Sequence, residues 1–148
     1  IALFYLPSTW GTVRQSWAVV VLSSSLVLLF FFVWCNRRYP AFWAMGAGLL
    51  MNGAAIALNG GLMPISPGTL NRIYPNVPLD VWQVGQQVGS SKNVLLPVHE
   101  TRLEFLVDRF FLPNWAPYLV AFSLGDVLIA AGVIWFLWQA GGPRYSQK

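Results

Sequence analysis

Charge is what this chain has least of. Nine basic and five acidic residues make up 9% of its 148 positions, where soluble domains carry roughly 25%. With 56% hydrophobic residues and a mean hydropathy of +0.56, the composition is that of a membrane protein. The basic residues form no run, so the formal charge of +4 describes no nucleic-acid surface, and no nucleic-acid partner is expected. The single cysteine, Cys35, excludes an internal disulfide. The single histidine, His99, excludes a His cluster for metal and stands far along the chain from Cys35. No repeat or low-complexity tract is present.

What is abundant is uninterrupted apolar sequence. Between Arg14 and Arg37 no residue is charged, and 16–35, "SWAVVVLSSSLVLLFFFVWC", is long enough to cross a bilayer. About 20 apolar residues cover the roughly 30 Å hydrocarbon core. A five-residue turn, "NRRYP", leads to a second span over 41–60, "AFWAMGAGLLMNGAAIALNG". A third span is read over 117–139, stopped by Gly141, Gly142 and Pro143. Aromatics gather at the ends: Trp17 and Trp34, Tyr39 and Trp43, Trp115 and Tyr118, Trp135 and Trp138. An apolar ring with a polar N–H or O–H suits the headgroup boundary. The opening piece, "IALFYLP", is either an interfacial tail or the last turns of a preceding, truncated helix. The fold class expected is therefore an all-α integral membrane protein forming a single membrane domain, 1–148.

Arg37 and Arg38 in the first turn and Arg144 and Lys148 in the tail fall on one side of three crossings. The excess of positive charge makes that side cytoplasmic. Residues 61–116 are then outside, in a bacterial cytoplasmic membrane. Four basic and four acidic residues balance there. Within this outer segment "SPGTLNRIYP" reads as a short helix, with Ser66 as N-cap, Pro67 in the first turn and Pro75 as stop. "HETRLEFLVDRFFLP" reads as an interfacial helix, because Leu103, Leu106, Val107 and Phe110 fall at helical spacing. Those four should be buried, with Glu104 and Asp108 wetter.

The stretches "NGGLMPISPGTL", "SSKNVLLPVHETRLEFLVDRFFLP" and "FSLGDVLIAAG" occur in that order. In these, over roughly 45–140, the chain resembles a domain-of-unknown-function family of small bacterial integral membrane proteins, actinobacterial and chloroflexi in type. The resemblance implies four helices with an outer loop before the last, and so a helix ahead of the three read here. It brings no activity and no catalytic residue.

One carboxylate, Asp126, interrupts the third span. At 1.5 Å rise per residue it would lie roughly 14 Å below Pro117, with Asn52 about 12 Å below Gly60 and Ser23, Ser24 and Ser25 roughly 10–14 Å below Ser16. The spans thus bring Asp126, Asn52 and Ser24 to one level, with Ser123 a turn above. An ionised Asp at mid-bilayer costs about 2.5–3.5 kcal/mol on insertion scales, so it should face the bundle and be hydrogen-bonded. No cation is expected at its level.

A lone carboxylate gives no aspartyl dyad. His99 beside Glu100 is more simply a solvated loop residue than a metal or haem ligand. Carotenoids or quinones need only apolar grooves, which the composition allows without specifying, so no cofactor is assigned. Ala44, Gly48 and Asn52, and Gly53 and Ala57, recur at four-residue spacing. Such stripes let helices approach closely, within the chain or against another subunit. The expectation is a non-catalytic membrane protein in contact with the lipid bilayer and other membrane subunits. It would be an accessory part of a respiratory, photosynthetic or transport complex. The alternative is a small carrier or proton- or ion-linked protein using Asp126.

Overall fold

The computed structural model describes residues 7–89, 91–113, 116 and 119–141. It is mostly helical. α1 runs Pro7–Cys35, α2 Pro40–Leu58, α3 Pro67–Ile73 and α4 Leu124–Gly141. Three of these are long and apolar enough to cross a membrane: α2, α4 and the part of α1 from Arg14 to Cys35. The piece before Pro7 and the tail with Arg144 and Lys148 lie outside the described residues.

Local chemistry sets the helix ends. At the close of α1 the Asn36 side chain donates to Phe32 O (2.8 Å), and Arg37 Nη1 donates to Trp34 O (3.1 Å) while its guanidinium lies over the Trp34 ring. These bonds satisfy carbonyls that a helix end leaves open. Pro40 occupies the first turn of α2, where its missing N–H costs nothing. α2 stops because Gly60 turns left-handed (φ +84°), which lets Gly61 N–H reach back to Ile56 O (2.9 Å).

α2 and α4 are the closest pair and run antiparallel. Gly48 of α2 meets the backbone of Gly125, and a side chain on Gly132 would strike Ala41 O at 2.8 Å. The stripe Gly48–Asn52 is therefore spent on packing within the chain. At the Arg37 end Phe42 and Phe136 stack edge to face, 5.2 Å between centroids, with Tyr39 and Phe32 beside them. α1 packs more loosely; none of its apolar run is buried, and Val27, Leu28, Phe31 and Trp34 are each more than 60% exposed.

The segment between α2 and α4 is a folded cap rather than a loop. β1 (Met63–Ile65) pairs in parallel with β2 (Asn93–Leu95), and β3 (Phe110–Phe111) pairs antiparallel with β4 (Ala121–Phe122). The all-α expectation is corrected by these four short strands. Two small cores hold the cap. Met63, Leu106 and Val107 pack on Ala55 and Ile56 at the top of α2, while Ile65, Leu70, Val88 and Leu95 form a second cluster. α3 matches its reading closely: Ser66 Oγ accepts from Thr69 N–H (3.2 Å), and Pro67 follows it.

The interfacial helix over 99–112 does not form. Two 3-10 turns, Val98–Glu100 and Glu104–Leu106, and strand β3 replace it. The cause is tertiary. Asn59 grips the backbone of Arg102 on both sides, its Nδ2 donating to Arg102 O and its Oδ1 accepting from Arg102 N–H, each 2.8 Å. The next residue, Leu103, is left-handed at φ 54°, which no continuing helix tolerates. Leu106 and Val107 are buried as expected of the stripe, and Leu103 is half-buried, but Phe110 is exposed. Glu104 is exposed, whereas Asp108, expected to be wet, is 1% exposed.

Candidate functional site: a polar clasp under the cap

α4 starts at Leu124, not at 117, and Pro117 and Tyr118 lie outside the described residues. Ser123 is its N-cap. The Ser123 hydroxyl accepts from Asp126 N–H (3.1 Å), and the Asp126 carboxylate accepts in return from Ser123 N–H (3.0 Å). This reciprocal pair satisfies two donors that a helix start otherwise leaves open. Asp126 is thus in the first turn of α4, within about 5 Å of its start at 1.5 Å per residue, rather than deep along it. Asn52 still meets it, because α4 begins well below the top of α2. Six residues separate Asn52 from Leu58, a rise of about 9 Å.

Asn52 bridges the two capping residues. Its Nδ2 donates to Asp126 Oδ1 (2.8 Å), and its Oδ1 accepts from the Ser123 hydroxyl (2.8 Å). Both Asn52 and Ser123 are buried. Gly125 makes this possible, since a side chain there would occupy the position of the Asn52 amide.

A cation does lie at this level, contrary to expectation. Lys92 Nζ stands 3.2 Å from Asp108 Oδ2 and 3.7 Å from Asp126 Oδ2. The parallel strand pair delivers it: Met63 N–H donates to Lys92 O (2.9 Å), and Asn93, the first residue of β2, donates through Nδ2 to Asp108 Oδ2 (3.0 Å). Burial pushes the Asp108 carboxyl above its ordinary range, with Lys92 and Asn93 opposing that and Asp126 adding to it.

Of the four residues read from the sequence, Asp126, Asn52 and Ser123 come together. Ser24 does not; it is exposed on α1. Lys92, Asn93 and Asp108 were missed. Nothing local marks them, because they arrive through strand pairing across the cap. The capping box was readable as Ser-x-x-Asp before an apolar run, and it would have set the start of α4 correctly. His99 is 79% exposed in its side chain and 3.5 Å from Glu100, and Cys35 is exposed at the far end of α1. Among the described residues no group of three or more His, Cys, Asp or Glu stands where it could hold a metal ion.

These features define a class: a helical chain with three membrane-length helices among its described residues and a small mixed cap tied to them by polar contacts. The chain belongs to DUF5317, a family of unknown function, whose pattern matches residues 1–138. An uncharacterized protein of Thermotoga maritima is 32% identical over 135 residues, covering 89% of this chain and 70% of that protein. No solved structure matches the chain.

Proposed function

We propose that the chain is a multi-pass protein of the bacterial cytoplasmic membrane that serves as a non-catalytic subunit of a larger membrane complex. Residues 61–116 would face outside, and the Arg37–Arg38 turn and the C-terminus the cytoplasm. The observation that carries the reading is how the polar groups are used. Both oxygens of Asp126 are engaged, by Asn52, by Ser123 and by Lys92. A carboxylate so held fastens helices and cap together rather than exchanging protons. Meanwhile α1 keeps a long apolar face uncovered within the chain, suited to lipid or to helices of another subunit.

The carrier reading has one observation in its favour. Asp126 borders an apolar groove of about 480 Å³ with Val120, Phe122, Val127 and Ile134. Gentle detergent extraction followed by native mass spectrometry separates the two. A complex of fixed stoichiometry, with no ion flux from the purified chain in liposomes, is expected. A monomer whose flux is abolished by Asp126→Asn would overturn the subunit reading.

A further inference from the structure

The end of the molecule opposite the cap carries positive charge that no acidic residue of the chain answers. All five acids, Asp80, Glu100, Glu104, Asp108 and Asp126, stand in the cap or in the first turn of α4. Arg37 and Arg38 stand in the turn between α1 and α2, the whole 19-residue length of α2 away. Both are exposed, and neither forms an ion pair among the described residues. Arg37 is nevertheless held in place. Its Nη1 donates to Trp34 O (3.1 Å), its guanidinium lies 4.6 Å from the Trp34 ring centre, and the Trp43 indole donates to its backbone carbonyl (3.0 Å). That uses one N–H of the guanidinium and leaves the rest of its fork, among the described residues, without an acceptor.

An apolar groove runs from Arg37 along the seam of α1 and α2. It has two parts, of about 370 Å³ and about 460 Å³, which meet at Phe30 and Leu50. On α2 its walls are Trp43, Ala47, Leu50, Ala54 and Ala57, which recur every three or four residues and so form one face. On α1 they include Val27, Phe30 and Trp34 at the same spacing. The small residues of α2 leave the space, and α1 does not close over it. Among the lining residues only Arg37 carries charge, and it stands at one end.

We propose that this groove holds an acyl chain of a phospholipid with a net negative headgroup, whose phosphate is met by Arg37 and Arg38. The inference rests on the reading that α1 and α2 cross a membrane, and not on the subunit role. From Trp43 to Ala57 the groove follows α2 for about 21 Å. That exceeds half of the roughly 30 Å hydrocarbon core, so it takes a chain of the leaflet whose headgroups stand at Arg37 over its whole depth. Guanidinium and phosphate form short, charge-assisted hydrogen bonds, and basic residues beside a cleft between membrane helices suit an anionic headgroup. A zwitterionic lipid fills the groove equally but brings an ammonium to the arginines. An apolar helix of another subunit would cover the groove and leave both arginines unanswered.

The test uses the full chain. Membranes are first washed with alkaline carbonate; release into the wash overturns the membrane reading and this site with it. Retained chain is purified in mild detergent and titrated with phosphatidylglycerol or phosphatidylcholine of the same acyl composition, and bound lipid is counted by native mass spectrometry. A saturable one-to-one adduct is expected, with phosphatidylglycerol preferred about 25-fold, each arginine contributing about fivefold. Arg37→Gln should cut that preference about fivefold. Ala47→Trp, at an exposed wall of the groove, fills it with both arginines intact and should weaken binding of both lipids about tenfold. Arg102→Gln removes an exposed cation of the cap and should change neither. Equal binding of the two lipids, or none, overturns the site and leaves the membrane reading standing. So does a preference undiminished in Arg37→Gln, an affinity undiminished in Ala47→Trp, or an equal loss in Arg102→Gln.

Discussion

Gly125→Ala should be among the most damaging single-methyl changes in this chain. A Cβ there would lie 2.7 Å from Gly48 O and would run into the Asn52 amide. Neither obstacle yields cheaply, since one is the backbone of α2 and the other is held at both ends by hydrogen bonds. Forcing a methyl into a packed interface costs about 1–3 kcal/mol. Displacing Asn52 also removes a hydrogen bond to a charged carboxylate, about 1.5–3 kcal/mol. Against this, alanine favours a helix over glycine by roughly 0.8–1.0 kcal/mol. The balance is a loss of about 1.5–5 kcal/mol. Gly141→Ala is the control, because nothing lies within 4 Å of the added atom. Unfolding by sodium dodecyl sulfate in mixed micelles, followed by tryptophan fluorescence, reads both. Gly125→Ala should unfold at a clearly lower detergent fraction, and Gly141→Ala should match the parent. Equal stability of Gly125→Ala and parent would refute the close approach of α2 and α4.

The cap and the topology give three further expectations. Burial holds the Asp108 carboxyl above its ordinary 3.8, so the folded chain binds that proton more tightly than the unfolded one. Stability should therefore fall as pH rises from about 3.8 through the raised folded value, and Asp108→Asn should flatten that stretch of a pH series. Asn59→Ala loses both bonds to the Arg102 backbone and should cost about 1–3 kcal/mol, seen as faster hydrogen exchange over 98–107. Cys35 sits beside Arg37 and should react with a membrane-impermeant maleimide only after cells are permeabilised, whereas Asn76→Cys in a Cys35→Ala background should react from outside. The reverse pattern would invert the proposed topology.

The three membrane-length helices were legible because continuous hydrophobicity is a strong signal. α1 nevertheless begins at Pro7 rather than 16, and α4 at Leu124 rather than 117. The second difference matters more, since it moves Asp126 from mid-helix to the first turn. Helical rise counted from 117 brings Asn52, Asp126 and Ser123 together; the residues do meet, but with α4 starting at Leu124 the depths behind that expectation do not hold. Ser24 could not be excluded in that way, because depth alone does not say which face of α1 a residue occupies. The cap was the least legible part. Its strands have two or three residues each, too few for a period to declare itself. The helical spacing of Leu103, Leu106, Val107 and Phe110 was real but misleading: Asn59, distant in sequence, decides the backbone at Arg102.

The clasp also has a timetable. Asn52 and Asp126 are 74 positions apart. At a synthesis rate of about 5–20 residues per second, Asn52 waits about 4–15 s for the carboxylate it will hold. Lys92 and Asp108 are made in the interval, so they can pair before Asp126 exists. The join of α4 to α2 and to the cap is closed last, when the first turn of α4 arrives with its serine and its aspartate together.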